Sequence, residues 1–163
     1  MAGERGKAYR NFESIQHNWV QFIRSLDAKA GFDWYSTWTF RDDTHPESAV
    51  KALRRLHHII NRRVYGVRYW KRNAALGSDV YGVSSVVCIE RQQRGVLHFH
   101  SLDAGTRGFR RLDAMDIWYK MAGIARVFPF ERNGGAEKYV AKYVMKGKPW
   151  ESRGGGELYL FGS

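Results

Sequence analysis

Phe12, Ile15, Trp19, Phe22, Ile23 and Leu26 recur at helical spacing, so residues 10–27 are expected to form an amphipathic helix. The pattern then changes. "FDWYSTWTF" is rich in aromatic residues and Thr between turn-forming neighbours, which predicts a strand over 34–40. Thr44 and Glu47 stand at capping-box spacing with Pro46 in the first turn. Val50, Leu53, Leu56, Ile60 and Val64 follow on one stripe, so a second helix is expected over 45–64, with Lys51, Arg54, Arg55, Arg62 and Arg63 left to its other faces.

Two further strands are expected in "VSSVVCIER" and "GVLHFHSL", and the polar "QQRG" between them predicts a hairpin. A third helix is expected over about 112–122, with Leu112, Met115 and Tyr119 on its apolar side. "IARVFPF" reads as another strand, and "AEKYVAKYVMK" as a last helix after "ERNGG". In the Gly-rich tail, 151–163, Leu158, Leu160 and Phe161 offer an edge strand. The order α β α β β α β α predicts a single α+β domain over 1–150, built on an antiparallel sheet with helices on one face and the other face open as a platform.

Composition narrows the partner. Of 163 residues, 44% are hydrophobic and 26% charged, the balance of a soluble domain that buries a real core. Lys and Arg number 27 against 16 Asp and Glu, a net charge of +11 that favours a polyanion, nucleic acid first. Cys88 is the single cysteine, so neither an internal disulfide nor a cysteine zinc cluster is available, which fits a reducing cytoplasm. No apolar run reaches signal-peptide or membrane-spanning length, so no membrane partner is expected.

"RGVLHFHSLDAG" carries the first candidate chemistry. Side chains alternate along a strand, so His98 and His100 share one face while Leu97 and Phe99 take the other. Neutral imidazoles on alternate positions supply two metal-ligating lone pairs. Glu90, on the partner strand, lies across from the His98 region with matching parity if the hairpin is tight. Two nitrogens and a carboxylate oxygen, with positions left for water and phosphate, suit Mn²⁺ or Mg²⁺ as a Lewis acid. Before any other motif is considered, an isolated His-x-His on a strand reads first as two hydrogen-bonded surface or core histidines. His57 and His58 are consecutive in a helix, some 100° apart, and cannot both face one metal; they read as helix-surface or boundary residues.

The last helix carries the second. Tyr139 and Tyr143 are four residues apart and share one helix face, and Lys142 and Lys146 each follow a tyrosine by three. A phenol ionising near pH 10 needs neighbouring positive charge to become a nucleophile at neutral pH. The alternative is that both rings pack on the sheet and the lysines are solvated.

Together, "STWTF", "HFH" and "YVAKYVMK" resemble, in order, motifs I, II and III of the HUH superfamily of single-strand DNA endonucleases. They are most similar to the two-tyrosine rolling-circle replication initiators of small phages and plasmids. The resemblance covers about residues 34–147. It implies a ferredoxin/RRM-like HUH fold with a five-stranded antiparallel sheet, the metal on its open face and the tyrosine helix alongside. It also implies His98, His100 and, approximately, Glu90 as ligands of Mn²⁺ or Mg²⁺, Tyr139 and Tyr143 as nucleophiles, and Lys142 as the lysine between them. Thr37 and Thr39 fall in motif I, whose part is structural or in DNA contact.

The activity implied is nicking and rejoining of single-stranded DNA at a replication origin through a covalent 5′-phosphotyrosine. The setting implied is the cytoplasm of a bacterial host. Larger members continue into a helicase domain and nothing of that kind follows residue 147 here, so either unwinding comes from another protein, with a host helicase and polymerase as expected partners, or the chain is a fragment or a minimal initiator. Further DNA contacts are expected from Arg41, from Trp70, Lys71 and Arg72 in "VRYWKRN", and from Arg94, whereas Trp34, Trp38 and Trp118 are expected in the core. Competing readings are an HUH relaxase or transposase, disfavoured by the doubled tyrosine, and a non-catalytic RRM-like module, for which the RNP1 string is missing. A phosphoesterase with two histidine motifs lacks its second copy.

Overall fold

The computed structural model describes residues 2–71, 82–91, 95–106, 108–132, 134–136, 138, 140 and 157–161. Its elements are α1 (Ala2–Ala30), β1 (Phe32–Phe40), α2 (Pro46–Tyr65), β2 (Ser84–Arg91), β3 (Leu97–Ala104), α3 (Arg111–Met121), β4 (Gly123–Pro129) and β5 (Glu157–Phe161). Ala136, Lys138 and Val140 are helical, in the first part of the expected last helix; its remainder from 141 onward lies outside the described residues, as do residues 92–94 of the expected hairpin connection. The fold is α+β. Strands β4-β1-β3-β2 form an antiparallel sheet flanked by helices, and β5 pairs antiparallel with the outer edge of β2.

One face of the sheet holds the larger core. Trp34, Trp38 and Phe40 of β1, Val87 and Ile89 of β2, and Leu97 and Phe99 of β3 project to it at alternate positions. Helix α2 covers it with Ala49, Leu53, Leu56 and Ile60, spaced to lie on one stripe, and α3 with Ala114 and Trp118. Trp38 and Trp118 meet at 5.3 Å between ring centroids, and Phe40 packs edge-on against both Phe99 and Trp118. Each such aromatic pair adds about 0.5–1.5 kcal/mol beyond its area burial. Trp34, Trp38 and Trp118 are core residues, as their sequence context predicts.

Several expectations are corrected. Helices cover both faces of the sheet: Val20 and Ile23 of α1, with Val140, pack on Val86, Cys88, Leu102 and Ala104, the side the histidines also occupy. Those four apolar side chains alternate away from the larger core and would otherwise be left in water. Helix α1 extends beyond residues 10–27 at both ends; from residue 14 onward its buried positions are Val20 and Ile23, with Ile15 and Phe22 exposed, while the Phe12 side chain lies outside the described residues. On α3, Leu112 and Tyr119 are exposed and Ala114 and Trp118 are buried, because the large indole rather than the leucine fills the space beside Trp38. The cap of α2 is His45, with Pro46 at the first turn and no side-chain cap bond, because the Thr44 hydroxyl donates instead to the Asp42 carbonyl at 3.1 Å.

Two glycines are dictated by close approach. A Cβ on Gly123 would stand 2.1 Å from the Thr39 carbonyl oxygen, where β4 begins to pair with β1, and one on Gly105, which has φ +75°, would stand 2.1 Å from that of Gly82. Only a residue without a side chain allows the backbones to meet there.

Candidate active site

Strand β3 is the central element of the site. It is flanked by β1 and β2, and its pleat sends His98 and His100 to the face opposite Leu97 and Phe99, as the alternation predicts. On one side Thr39 is paired with His98 and Thr37 with His100; on the other Glu90 is paired with His98 and Cys88 with His100. Glu90 thus has the parity the hairpin requires. The histidines do not stand on an open platform: they are 8% and 3% exposed.

Each ring is held by a threonine. Thr37 Oγ1 lies 3.3 Å from His100 Nδ1, and Thr39 Oγ1 lies 3.3 Å from His98 Nδ1. A hydroxyl that accepts from Nδ1–H fixes the tautomer whose lone pair is on Nε2, the form a ligating histidine needs. His100 Nε2 is 3.3 Å from Glu90 Oε2. With a proton on Nε2 this is a hydrogen bond to the carboxylate; with Nε2 deprotonated the two atoms would be donors to one cation. The His98 and His100 ring centroids are 6.2 Å apart and inclined by 33°. Among the described residues no three His, Cys, Asp or Glu side chains converge closely enough to hold a metal ion. The donor set is therefore a close Glu90–His100 pair with His98 beside it.

Edge strand β4 continues this face. Tyr35, Thr37 and Thr39 are paired with Phe128, Arg126 and Ile124, so these three β4 side chains form the next row out from the threonines. All three are exposed. Tyr35, Phe128, Pro129 and Glu131 line a groove of about 510 Å³ at the end of the row. The row escaped sequence reading although "IARVFPF" alternates Ile124, Arg126 and Phe128 against Ala125 and Val127; that parity was the available signal.

Other expected site residues are dispersed. Arg41, just past β1, donates to the Tyr119 carbonyl at 2.8 Å and lies over the Tyr119 ring. Trp70 and Lys71 are exposed beyond the C-terminal end of α2, the helix on the other face of the sheet. Tyr139, Tyr143, Lys142, Lys146, Arg72 and Arg94 lie outside the described residues. Val140, between the two tyrosines in sequence, is fully buried with Val86, Cys88 and Leu102 on the histidine-bearing side.

A second polar cluster lies beneath the sheet. Ser36 and Ser101 hydroxyls donate to Asp103 Oδ2 at 2.7 and 2.9 Å, Ser85 donates to Oδ1, and Trp38 Nε1 donates to Ser101 Oγ at 2.9 Å. Ser85 Oγ also lies 3.2 Å from His57 Nε2. His57 is thus buried, correcting its reading as a surface or boundary residue, while His58 is exposed. The reason is rotation: His57 is on the Leu53–Ile60 stripe and His58 is 100° away. Burial lowers the His57 imidazole to about 4 and pushes the Asp103 carboxyl up, the three serine hydroxyls opposing the latter. The sequence signal was polar Ser36, Ser85, Ser101 and Asp103 at core-parity positions.

No helix among the described residues is long and apolar enough to cross a membrane. Comparison with protein-family models, with curated proteins and with solved structures finds no match to this chain.

Proposed function

We propose that this chain is a single-stranded DNA nickase and ligase of the HUH type, a rolling-circle replication initiator working through a tyrosine–DNA covalent intermediate. The observation that carries the reading is the arrangement around β3: Glu90 Oε2 is 3.3 Å from His100 Nε2, with Thr37 and Thr39 against the Nδ1 atoms of the two histidines. The net charge of +11 and the resemblance of "STWTF", "HFH" and "YVAKYVMK" support it. The finer description of the α+β fold as ferredoxin/RRM-like, with β5 as a fifth strand, belongs to the same proposal, as do a host helicase and polymerase as partners and a cytoplasmic setting.

Mn²⁺ or Mg²⁺ held by His98, His100 and Glu90 would supply Lewis-acid polarisation of the scissile phosphate. Thr37 and Thr39 keep the imidazoles turned. Arg126, exposed on the neighbouring row, attracts the phosphate backbone, and Phe128 offers a ring to an unpaired base. Lys142 and Lys146 favour the phenolate of Tyr139 or Tyr143. That oxygen attacks phosphorus in line, the Oη–P bond forms, and the P–O3′ bond breaks. The phenolic proton goes to solvent, and O3′ leaves as a hydroxyl after taking up a proton. The DNA 5′ end remains as a phosphotyrosine ester, so a free 3′-OH can reverse the step without ATP.

The test is incubation of the full chain with labelled single-stranded DNA and Mn²⁺, followed by a denaturing gel. A retarded, protease-sensitive adduct absent with EDTA is expected. Binding without any adduct would replace this reading with that of a non-catalytic nucleic-acid-binding module.

A further inference from the structure

The outer face of α2 carries a basic stripe turned away from the core. Lys51, Arg55, His58 and Arg62 recur at spacings of four, three and four residues, diametrically opposite the buried Ala49, Leu53, Leu56 and Ile60, and all four are exposed. The only acid in the helix is Glu47, in its first turn. Like charges at such spacings destabilise a helix, and among the described residues no carboxylate forms a salt bridge with Lys51, Arg55 or Arg62. The stripe spans about 16 Å along the axis.

Aromatic rings continue it. Past the Gly66 cap, the Tyr69 hydroxyl lies 3.0 Å from His58 Nδ1, which ties the following turn to the stripe. Trp70 packs edge-on against Tyr69 with ring centroids 5.4 Å apart and is 49% exposed. Arg68 and Lys71 flank the pair and are exposed. A row of cations leading to a half-exposed indole is the combination that tracks a phosphate backbone and stacks a base.

The position of the stripe sets it apart from the histidines. Helix α2 follows β1, whose Thr39 is opposite His98, and ends at Tyr65, whose hydroxyl donates to the Gly105 carbonyl just past the far end of β3. It therefore runs the length of the sheet on the face that His98 and His100 do not occupy.

We propose that this face of α2, with Trp70 at its end, is a second binding lane for single-stranded nucleic acid, separate from the histidine site. Lys51, Arg55 and Arg62 contact phosphates and Trp70 stacks on an unpaired base. The occupant is a nucleic acid strand because the surface offers a row of positive charge that ends in an exposed ring. Single-stranded rather than duplex is chosen because the Trp70 ring needs an unstacked base. The lane does not depend on cleavage at the other face.

The experiment measures binding of the full chain to a fluorescent oligothymidine, to a duplex of the same length and to poly-glutamate across a salt series. Simultaneous Lys51→Gln, Arg55→Gln and Arg62→Gln should reduce the log–log salt slope by about 2, at about 0.7 per lost phosphate contact. Trp70→Ala should weaken oligothymidine binding by about 5- to 160-fold while leaving duplex binding unchanged. The charge-conserving Lys51→Arg, Arg55→Lys and Arg62→Lys set should keep the slope, and equal thermal melts show that each variant is folded. His98→Ala with His100→Ala should leave these effects intact, which separates failure of this lane from failure of the nickase reading. Unchanged slope and affinity in the folded Gln variant would overturn the lane. Duplex binding as tight as oligothymidine binding with a silent Trp70→Ala would overturn the single-strand assignment, and preferential capture of poly-glutamate would assign the stripe to an acidic polypeptide instead.

Discussion

Glu90 is registered directly across from His98, yet its carboxylate reaches diagonally to His100, placing Oε2 3.3 Å from Nε2. Diagonal neighbours on adjacent strands are within reach of long side chains. If this pair shares a cation, Glu90→Gln and His100→Ala should each cut Mn²⁺-dependent nicking by about 100-fold or more while oligonucleotide affinity changes less than twofold, since charge elsewhere supplies the affinity. Parallel nicking and binding assays decide it; full nicking by both variants removes the metal assignment.

The threonines separate orientation from ligation. Thr37→Val and Thr39→Val keep the β-branched shape and remove the hydroxyls at the Nδ1 atoms. Metal affinity should fall about 10- to 100-fold, as for other groups that orient ligands. Mn²⁺ titration of nicking should show the loss recovered at high metal; a loss that metal does not rescue would make the threonines substrate contacts.

The tyrosines are tested by mass. Tyr139→Phe and Tyr143→Phe singly should each retain some nicking, at different rates, and the double variant should form no adduct. Peptide mapping of the wild-type adduct should find the nucleotide on one of these two residues. An adduct on Tyr119 or Tyr159 would show that the nucleophile is elsewhere.

His57 makes stability depend on pH. Its folded value of about 4 is depressed below the unfolded 6.5, so the unfolded chain binds more protons between those values. Its contribution is complete above pH 6.5 and is lost as pH falls towards 4. Urea unfolding at pH 7 and 4.5 should differ by on the order of 2–3 kcal/mol from this group. Asp103 acts in the opposite sense, because its raised carboxyl favours the protonated folded state as pH falls. Comparison with His57→Gln isolates the histidine, and an identical pH response in that variant would remove the assignment.

The serine cluster should discriminate two substitutions of Asp103. Asp103→Ala removes the acceptor shared by Ser36, Ser85 and Ser101 in the core and should cost about 3 kcal/mol or more. Asp103→Asn retains one carbonyl acceptor and should cost less. Denaturant midpoints measure both, and equal losses would mean that shape rather than hydrogen bonding sets the cost.

Local features were legible in the order of residues: which segments are helices or strands, and which side chains share a face. Period-2 alternation placed His98 and His100 together against Leu97 and Phe99, and the hairpin parity put Glu90 on their side, because pleat and register follow from chain geometry alone. Tertiary structure decided how each face is covered. From residue 14 onward α1 buries Val20 and Ile23 rather than Ile15 and Phe22, α3 buries Ala114 and Trp118, and α1 covers the histidine-bearing side, because these depend on which partner surface must leave water. Threonine contacts with the ring nitrogens and the burial of His57 against Ser85 likewise join residues distant in sequence. No periodicity within one segment encodes such contacts; they exist only once the sheet has brought β1, β2 and β3 side by side and α2 has packed across them.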